Sequence, residues 1–209
     1  PQIQRAAASG NYRFIQKRLE DIFLLSGAHA GSLYVTDKNG IVRADAVDAR
    51  RTGIDLSDRQ YFLMAKSGKS NISVPVVNKA TGKTGVALCA PIASGKHGFI
   101  GAAALGQDIE FILDHITKVK LGRTGYAYLA DRKGPVVIHP DKSFIFKSVD
   151  EEQGLEPLVN QMSTGGTGVV KYRFRGVKKI AAFAPIPITG WNVVVTQHLD
   201  EIMAPVNAI

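Results

Sequence analysis

One cysteine stands in the whole sequence, Cys89, inside the apolar run Val86–Ile92. A single thiol excludes a disulfide framework within the chain and leaves the redox compartment open. No base lies near it in sequence, so Cys89 reads as a small buried hydrophobe and not as a catalytic thiol. Long apolar runs are missing as well. No stretch reaches the about 18 residues that span a bilayer, and none has the form of a signal peptide. The histidines (His29, His97, His115, His139 and His198) are far apart and lack metal-ligand spacing. Gly68-Lys69-Ser70 imitates the end of a phosphate loop, but Leu63 stands where the first glycine belongs. Gly165, Gly166 and Gly168 follow a helical segment and open a strand, the reverse of a nucleotide loop. No nucleophile elbow or kinase motif occurs. The expectation is a protein that is not an enzyme and needs no cofactor or metal.

Acidic residues are also few, 18 against 26 Lys and Arg, giving a formal charge of +8. The basic residues are scattered. Their densest cluster, Lys171, Arg173, Arg175, Lys178 and Lys179, alternates with apolar residues as a half-exposed hairpin does. No basic recognition helix appears, so no nucleic-acid partner is expected. Apolar residues make up 45% and charged residues 21%, an ordinary globular balance, and 209 residues suffice to bury a core unaided. The chain opens on a helical pattern without an initiator Met and stops at Val206-Asn207-Ala208-Ile209. It reads as a segment of a longer protein.

Residues 3–26 carry Ile15, Leu19, Ile22 and Phe23 at three- and four-residue steps, which predicts an amphipathic helix stopped by Gly27. Strand, Asn-Gly turn and strand follow over residues 31–42. A short helix is predicted over Tyr61–Ser67, then strands over Ile72–Val77, Val86–Ile92 and Phe99–Ala104. The second half repeats this order. Gly31 and Gly125, Tyr34 and Tyr128, Asp37 and Asp131, Gly40 and Gly134, and Val42 and Val136 each lie 94 residues apart. So do Ala90-Pro91-Ile92 and Ala184-Pro185-Ile186. Gly98-Phe99 and Gly190-Trp191, and Asp108 and Asp200, lie 92 apart. Matches in order at a nearly fixed offset mark a duplicated unit of roughly ninety residues. The predicted fold class is α+β: a long N-terminal helix, then two tandem modules, each an antiparallel sheet of about five strands flanked by helices.

The segment Asp55-Leu56-Ser57-Asp58-Arg59-Gln60-Tyr61-Phe62 places an arginine and two aromatic residues at the entry of the first module's helix. It reads either as a solvated Arg beside helix core or as an anion-binding step. The repeat, the Asp37–Gly40 and Asp131–Gly134 turns, the Arg59–Phe62 step, the Pro75–Gly82 strand and turn, Gly125-Tyr126-Ala127-Tyr128 and Thr189-Gly190-Trp191 together resemble the double Cache (dCache_1) sensor domains. The resemblance spans essentially the whole chain.

That resemblance implies tandem PAS-like modules in the extracytoplasmic (periplasmic) part of a bacterial inner-membrane receptor. The cytoplasmic output would be a chemotaxis protein, a histidine kinase or a diguanylate cyclase. It divides the chain into a signalling helix (1–30), a membrane-distal ligand-binding module (31–109), a linker helix (110–124), a membrane-proximal module (125–200) and an exit toward a second transmembrane helix (201–209). It implies a homodimer in the full receptor, anchored by flanking transmembrane helices. In the family's amino-acid-sensing branch, Arg-x-Trp-Tyr holds the ligand carboxylate, and a Tyr-x-Asp plus a later Asp hold the ammonium. Carried over, these positions are Arg59, Tyr61 and Phe62, then Val76 and Asn78, then Asp108. A further family Tyr falls on Ile54. Arg59 keeps a planar fork for a carboxylate and Tyr61 adds a hydroxyl. The ammonium side has lost a charge at Asn78 and an aromatic at Val76. The expected ligand is therefore a small organic acid such as acetate, propionate, lactate or pyruvate. Asn78 would bond its hydroxyl or keto oxygen. An amino acid or amine in the same pocket is the alternative, and a protein-interaction or dimerisation module with a vestigial pocket is the reading of a different class. Asp108 stays open between ligand contact and helix cap. The second module has no matching Arg-aromatic step, and Tyr128, His139 and Trp191 are expected in its core and turns.

Overall fold

Gly10 breaks the N-terminal helix in two. The computed structural model describes residues 1–25, 31–47, 49–95, 97–116, 118–132, 136–145, 147 and 153–204. In it α1 (Gln2–Ala8) ends where Gly10 adopts φ +71°, and α2 (Tyr12–Leu25) begins anew. Only glycine takes that backbone cheaply. The Asn11 side-chain oxygen then accepts the Phe14 N–H at 3.2 Å and caps the restart. The single helix expected over residues 3–26 is thus corrected to two. Ile15 and Leu19 of α2 are buried as their spacing predicts, while Ile22 is half-exposed. The Gly27 stop lies outside the described residues.

The chain divides into two compact units, Pro1–Asp108 and Ile109–Ile209. The first is built on β1 (Ser32–Asp37), β2 (Val42–Asp45), β3 (Asn71–Ile72), β4 (Val76–Val77), β5 (Thr84–Ser94) and β6 (Gly98–Asp108), with α3 (Gln60–Lys66) on one face. Strand order is β2-β1-β6-β5-β3, with β4 also on β5, all antiparallel. Alternation sorts the faces. Val35 and Ala44, paired across β1 and β2, pack under α1 and α2 with Ile15, Leu19 and Ile92. Tyr34 and Val42 face the other way, toward Leu56, Tyr61 and Phe62. The strand expected over residues 72–77 is interrupted. Ser73 gives its N–H to the Ala87 carbonyl and its hydroxyl oxygen accepts the Ala87 N–H, both at 2.9 Å, and Pro75 has no N–H to continue the ladder. The sheet therefore has six strands, two of them two residues long, instead of about five. In the β1–β2 turn, Asp37 Oδ1 accepts the Asn39 and Ile41 N–H groups. Gly40 closes the turn at φ +89°, with no space for a side chain against Ser57. Cys89 is buried, and burial pushes its thiol up to about 12, so it stays protonated as a core group.

The second unit holds α4 (Ile109–Ile116), β7 (Lys120–Leu121), β8 (Gly125–Asp131), β9 (Val136–Ile138), α5 (Glu156–Ser163), β10 (Gly168–Phe174), β11 (Val177–Ile186), β12 (Trp191–His198) and α6 (Leu199–Met203). Its order β10-β11-β12-β8, with β9 on β8, reproduces that of the first sheet, and β7 is added on β8. The repeated Ala-Pro-Ile falls at the same place in both. Pro91 lies beyond the last β5–β3 pair, Asn71 with Cys89, and Pro185 lies beyond the last β11–β10 pair, Gly168 with Phe183. Each proline thus sits where its strand has outrun one neighbour and a missing N–H costs nothing. Tyr128 and Trp191 are buried as expected. The turn residues Lys133, Gly134 and Pro135, and the exit beyond Ala204, lie outside the described residues.

Glu201 of α6 folds back on the second unit, accepting the N–H groups of Arg123 (2.6 Å) and Thr124 (3.0 Å). These bonds, the Arg123 N–H first and then the Thr124 hydroxyl, hold its carboxyl down to about 2. A depressed carboxylate contributes stability that is fully present above its unfolded value of about 4.5 and is lost as pH falls through about 2. Thermal unfolding of Glu201→Gln should accordingly show a flatter loss of stability between pH 4.5 and 2 than the wild type. An unchanged profile would contradict the role.

Candidate functional site

A part-enclosed cavity of about 50 Å3 opens in the first unit between its sheet and two loops. The floor is β1, β5 and β6. The register sets Val76 beside Gly85 and Gly85 beside Asp108, so three strands meet in one row at the cavity wall. Gly85 and Gly106 let the floor pack closely, since a Cβ on Gly85 would lie 2.6 Å from the Gln107 carbonyl oxygen and one on Gly106 2.5 Å from Ser32 Oγ. The roof is the loop that carries Arg51, Ile54 and Leu56, followed by the start of α3 and the turn after β4.

Of the residues singled out by sequence, Arg59, Tyr61, Val76, Asn78 and Asp108 line this cavity. Phe62 does not. It is 1% exposed and packs edge-on to Phe99 at 5.9 Å in the core beneath α3. Neighbouring helix residues point about 100° apart, so Tyr61 and Phe62 cannot face the same space. Arg59 ends its extended approach at the N-cap of α3 and donates from Nη2 to the Val77 carbonyl at 2.8 Å. Its Nε is buried without a hydrogen-bond partner. Tyr61 accepts a 3.3 Å bond from the Tyr34 hydroxyl, which leaves its own proton to donate. Burial raises both phenols above their ordinary value, so both remain protonated at neutral pH. Asn78 Oδ1 is committed to the Ala80 and Thr81 N–H groups of its own turn, leaving the Nδ2 donors. Asp108 pairs with Lys83 at 3.5 Å at the edge of the cavity.

Residues missed by sequence complete the site. Lys79 donates to the Asp55 carbonyl (2.8 Å) and to Asp58 Oδ1 (2.7 Å), tying the β4 turn to the loop before α3. That bond lowers the Asp58 carboxyl. Arg51 is 7% exposed, lines the cavity and pairs with the fully buried Asp45 at 3.2 Å. Each lining Arg or Lys except Arg59 thus has a carboxylate partner among the described residues. The arrangement can hold one compact anion at Arg59, with Tyr61 donating beside it and Val42, Ile54, Leu56 and Val76 forming apolar walls.

The second unit has a smaller cavity, about 30 Å3, lined by Tyr126, Tyr128, His139, Phe144, Tyr172 and Phe174 among others. No Arg is among its described lining residues. His139 accepts the Asp141 N–H at 3.0 Å, and burial lowers its pKa. Among the described residues no three His, Cys, Asp or Glu side chains gather as a metal site, and no helix is long and apolar enough to cross a membrane.

The first unit, with its polar-lipped pocket, and the second share one antiparallel strand order, which defines a duplicated α+β domain. The chain matches the Cache domain family (dCache_1) over residues 4–206 and belongs to it. It is thereby an extracytoplasmic ligand-binding sensor domain of the kind found in chemoreceptors and histidine kinases. It is 28% identical over 173 residues to the methyl-accepting chemotaxis protein McpA of Bacillus subtilis, covering 82% of the chain and 25% of McpA. The chain spans about a quarter of the length of the curated relatives it matches. Its fold is similar to the ligand-binding domain of the Pseudomonas aeruginosa amino-acid chemoreceptor PctB in complex with L-Arg. There the TM-score is 0.68 at 19% identity, covering 97% of this chain and 91% of that one. It is also similar to the extracellular domain of the histidine kinase mmHK1S-Z2, with a TM-score of 0.75 at 19% identity over 97% of this chain and 87% of that one.

Proposed function

We propose that the first unit binds a small organic monocarboxylate, of the acetate, propionate, lactate or pyruvate kind, and passes its occupancy through the membrane receptor that carries it. The observation behind this is Arg59. Among the described residues it is the lining cation with no carboxylate partner, and its Nε is buried and unbonded. A buried donor with charge to spare is stabilised by an anion that takes both. Arg51 is paired with Asp45, Lys79 with Asp58 and Asp108 with Lys83, which leaves Arg59 as the lining cation without an ion pair among the described residues. The volume is worth about four waters, room for a few heavy atoms. An open cavity with an unsatisfied donor also favours ligand binding over a vestigial pocket.

The complex of PctB with L-Arg favours a second reading, an α-amino acid. Its ammonium would have to displace Lys83 from Asp108, an exposed pair worth at most about 1 kcal/mol. Calorimetry of the chain with acetate, propionate, pyruvate, glycine and serine separates the two. Binding of the acids, with Asp108→Asn changing affinity less than about threefold, supports the monocarboxylate. Binding of the amino acids alone, weakened at least about tenfold by Asp108→Asn, replaces it with the second reading.

A further inference from the structure

Arg51 lies against the same cavity, and only one side of its guanidinium is engaged. Nη1 donates to both Asp45 oxygens at 3.3 and 3.2 Å, and the Arg51 backbone N–H donates to Asp45 Oδ2 at 3.0 Å. Its Nε is buried and has no partner. Asp45 is in turn fixed to α2. Gln16 gives its amide N–H to the Asp45 carbonyl at 2.6 Å and takes the Asp45 N–H at 2.8 Å. Two residues that line the cavity, Arg51 and Arg59, thus each carry a buried Nε without a partner, in different electrostatic settings. Arg59 has no carboxylate at ion-pair distance among the described residues. Arg51 is neutralised by a fully buried carboxylate and offers a hydrogen bond without net charge.

We propose that Arg51 is a second ligand anchor, taking the neutral oxygen on C2 of a 2-oxo or 2-hydroxy monocarboxylate while Arg59 takes the carboxylate. This rests on the monocarboxylate reading above and narrows it. A guanidinium has donors only, so it donates to a keto or hydroxyl oxygen and has nothing to offer an ammonium. A second carboxylate on Arg51 would compete with Asp45 and leave a surplus negative charge in a buried site. Asp45 and Gln16 hold the anchor in place before the ligand arrives, which spares the ordering cost of binding. A site built to bond an oxygen rejects the analogue that lacks it, because its donor is then left buried and unpaired.

The test is calorimetry with pyruvate, lactate, propionate and succinate. The proteins are wild type, Arg51→Met, the double variant Asp45→Asn/Arg51→Met and Arg59→Ala. The double variant retains an acceptor for the backbone N–H of residue 51 and removes the orphaned carboxylate, so it keeps the test available if Arg51→Met alone fails to fold. Wild type should bind pyruvate or lactate at least about tenfold more tightly than propionate. The double variant should bring all three within about threefold, with propionate itself little changed. Three results overturn the assignment: equal wild-type binding of propionate and pyruvate, a pyruvate preference that survives loss of Arg51, or succinate as the tightest ligand. If propionate and pyruvate bind equally and Arg59→Ala abolishes both, Arg51 falls while the monocarboxylate reading stands. If no acid binds the wild type, both fall.

Discussion

Arg59→Ala should leave the chain folded and weaken its binding of a monocarboxylate at least about 100-fold, near 2.8 kcal/mol. The fold survives because the one described hydrogen bond of the Arg59 side chain is to the Val77 carbonyl at the cavity rim. Binding fails because no other described lining cation has charge to spare. Arg59→Lys keeps the charge and loses the planar fork, so it should fall between the two, roughly tenfold weaker than wild type. Circular dichroism establishes the fold and calorimetry the affinity. Arg59→Ala that binds as well as wild type would place the ligand elsewhere.

Asp45→Ala should cost the first unit about 3–5 kcal/mol, a drop of more than about 10 °C in Tm for a unit of this size. Asp45 has no exposed surface, and its carboxylate satisfies both the guanidinium and the backbone N–H of Arg51. Its removal leaves a buried cation without a partner. Asp45→Asn keeps an acceptor for the N–H and should lose distinctly less. Urea unfolding followed by fluorescence and circular dichroism gives the values. Equal stability of Asp45→Ala and wild type would mean that the pair does not hold the loop over the cavity.

Most of the scaffold was legible because its signals are local. The Asp37–Gly40 turn, the strand alternation around Tyr34 and the 94-residue offset all lie within short windows or repeat down the chain. The exceptions have physical causes. The N-terminal helix read as continuous because Ile15 and Leu19 keep the helical period, while the break comes from Gly10 and the Asn11 cap. The strand over residues 72–77 was overextended because the Ser73 side chain takes over a ladder bond that residue types alone do not show. In the site, the Arg59-x-Tyr61 step was visible and reaches the cavity, but Phe62 was carried along by a motif whose next position turns into the core. Asn78 was visible too, although its oxygen serves its own turn. Arg51 and Lys79 were not. Their partners are brought to them by a loop without periodicity and by a turn 21 residues distant, which no local pattern marks.

The most direct measurement is a crystal structure of the chain grown with pyruvate. The account predicts one pyruvate in the first unit's cavity, its carboxylate on Arg59 and the Tyr61 hydroxyl and its keto oxygen toward Arg51. Pyruvate bound only in the second unit's cavity, or seated in the first with its carboxylate away from Arg59, would contradict it.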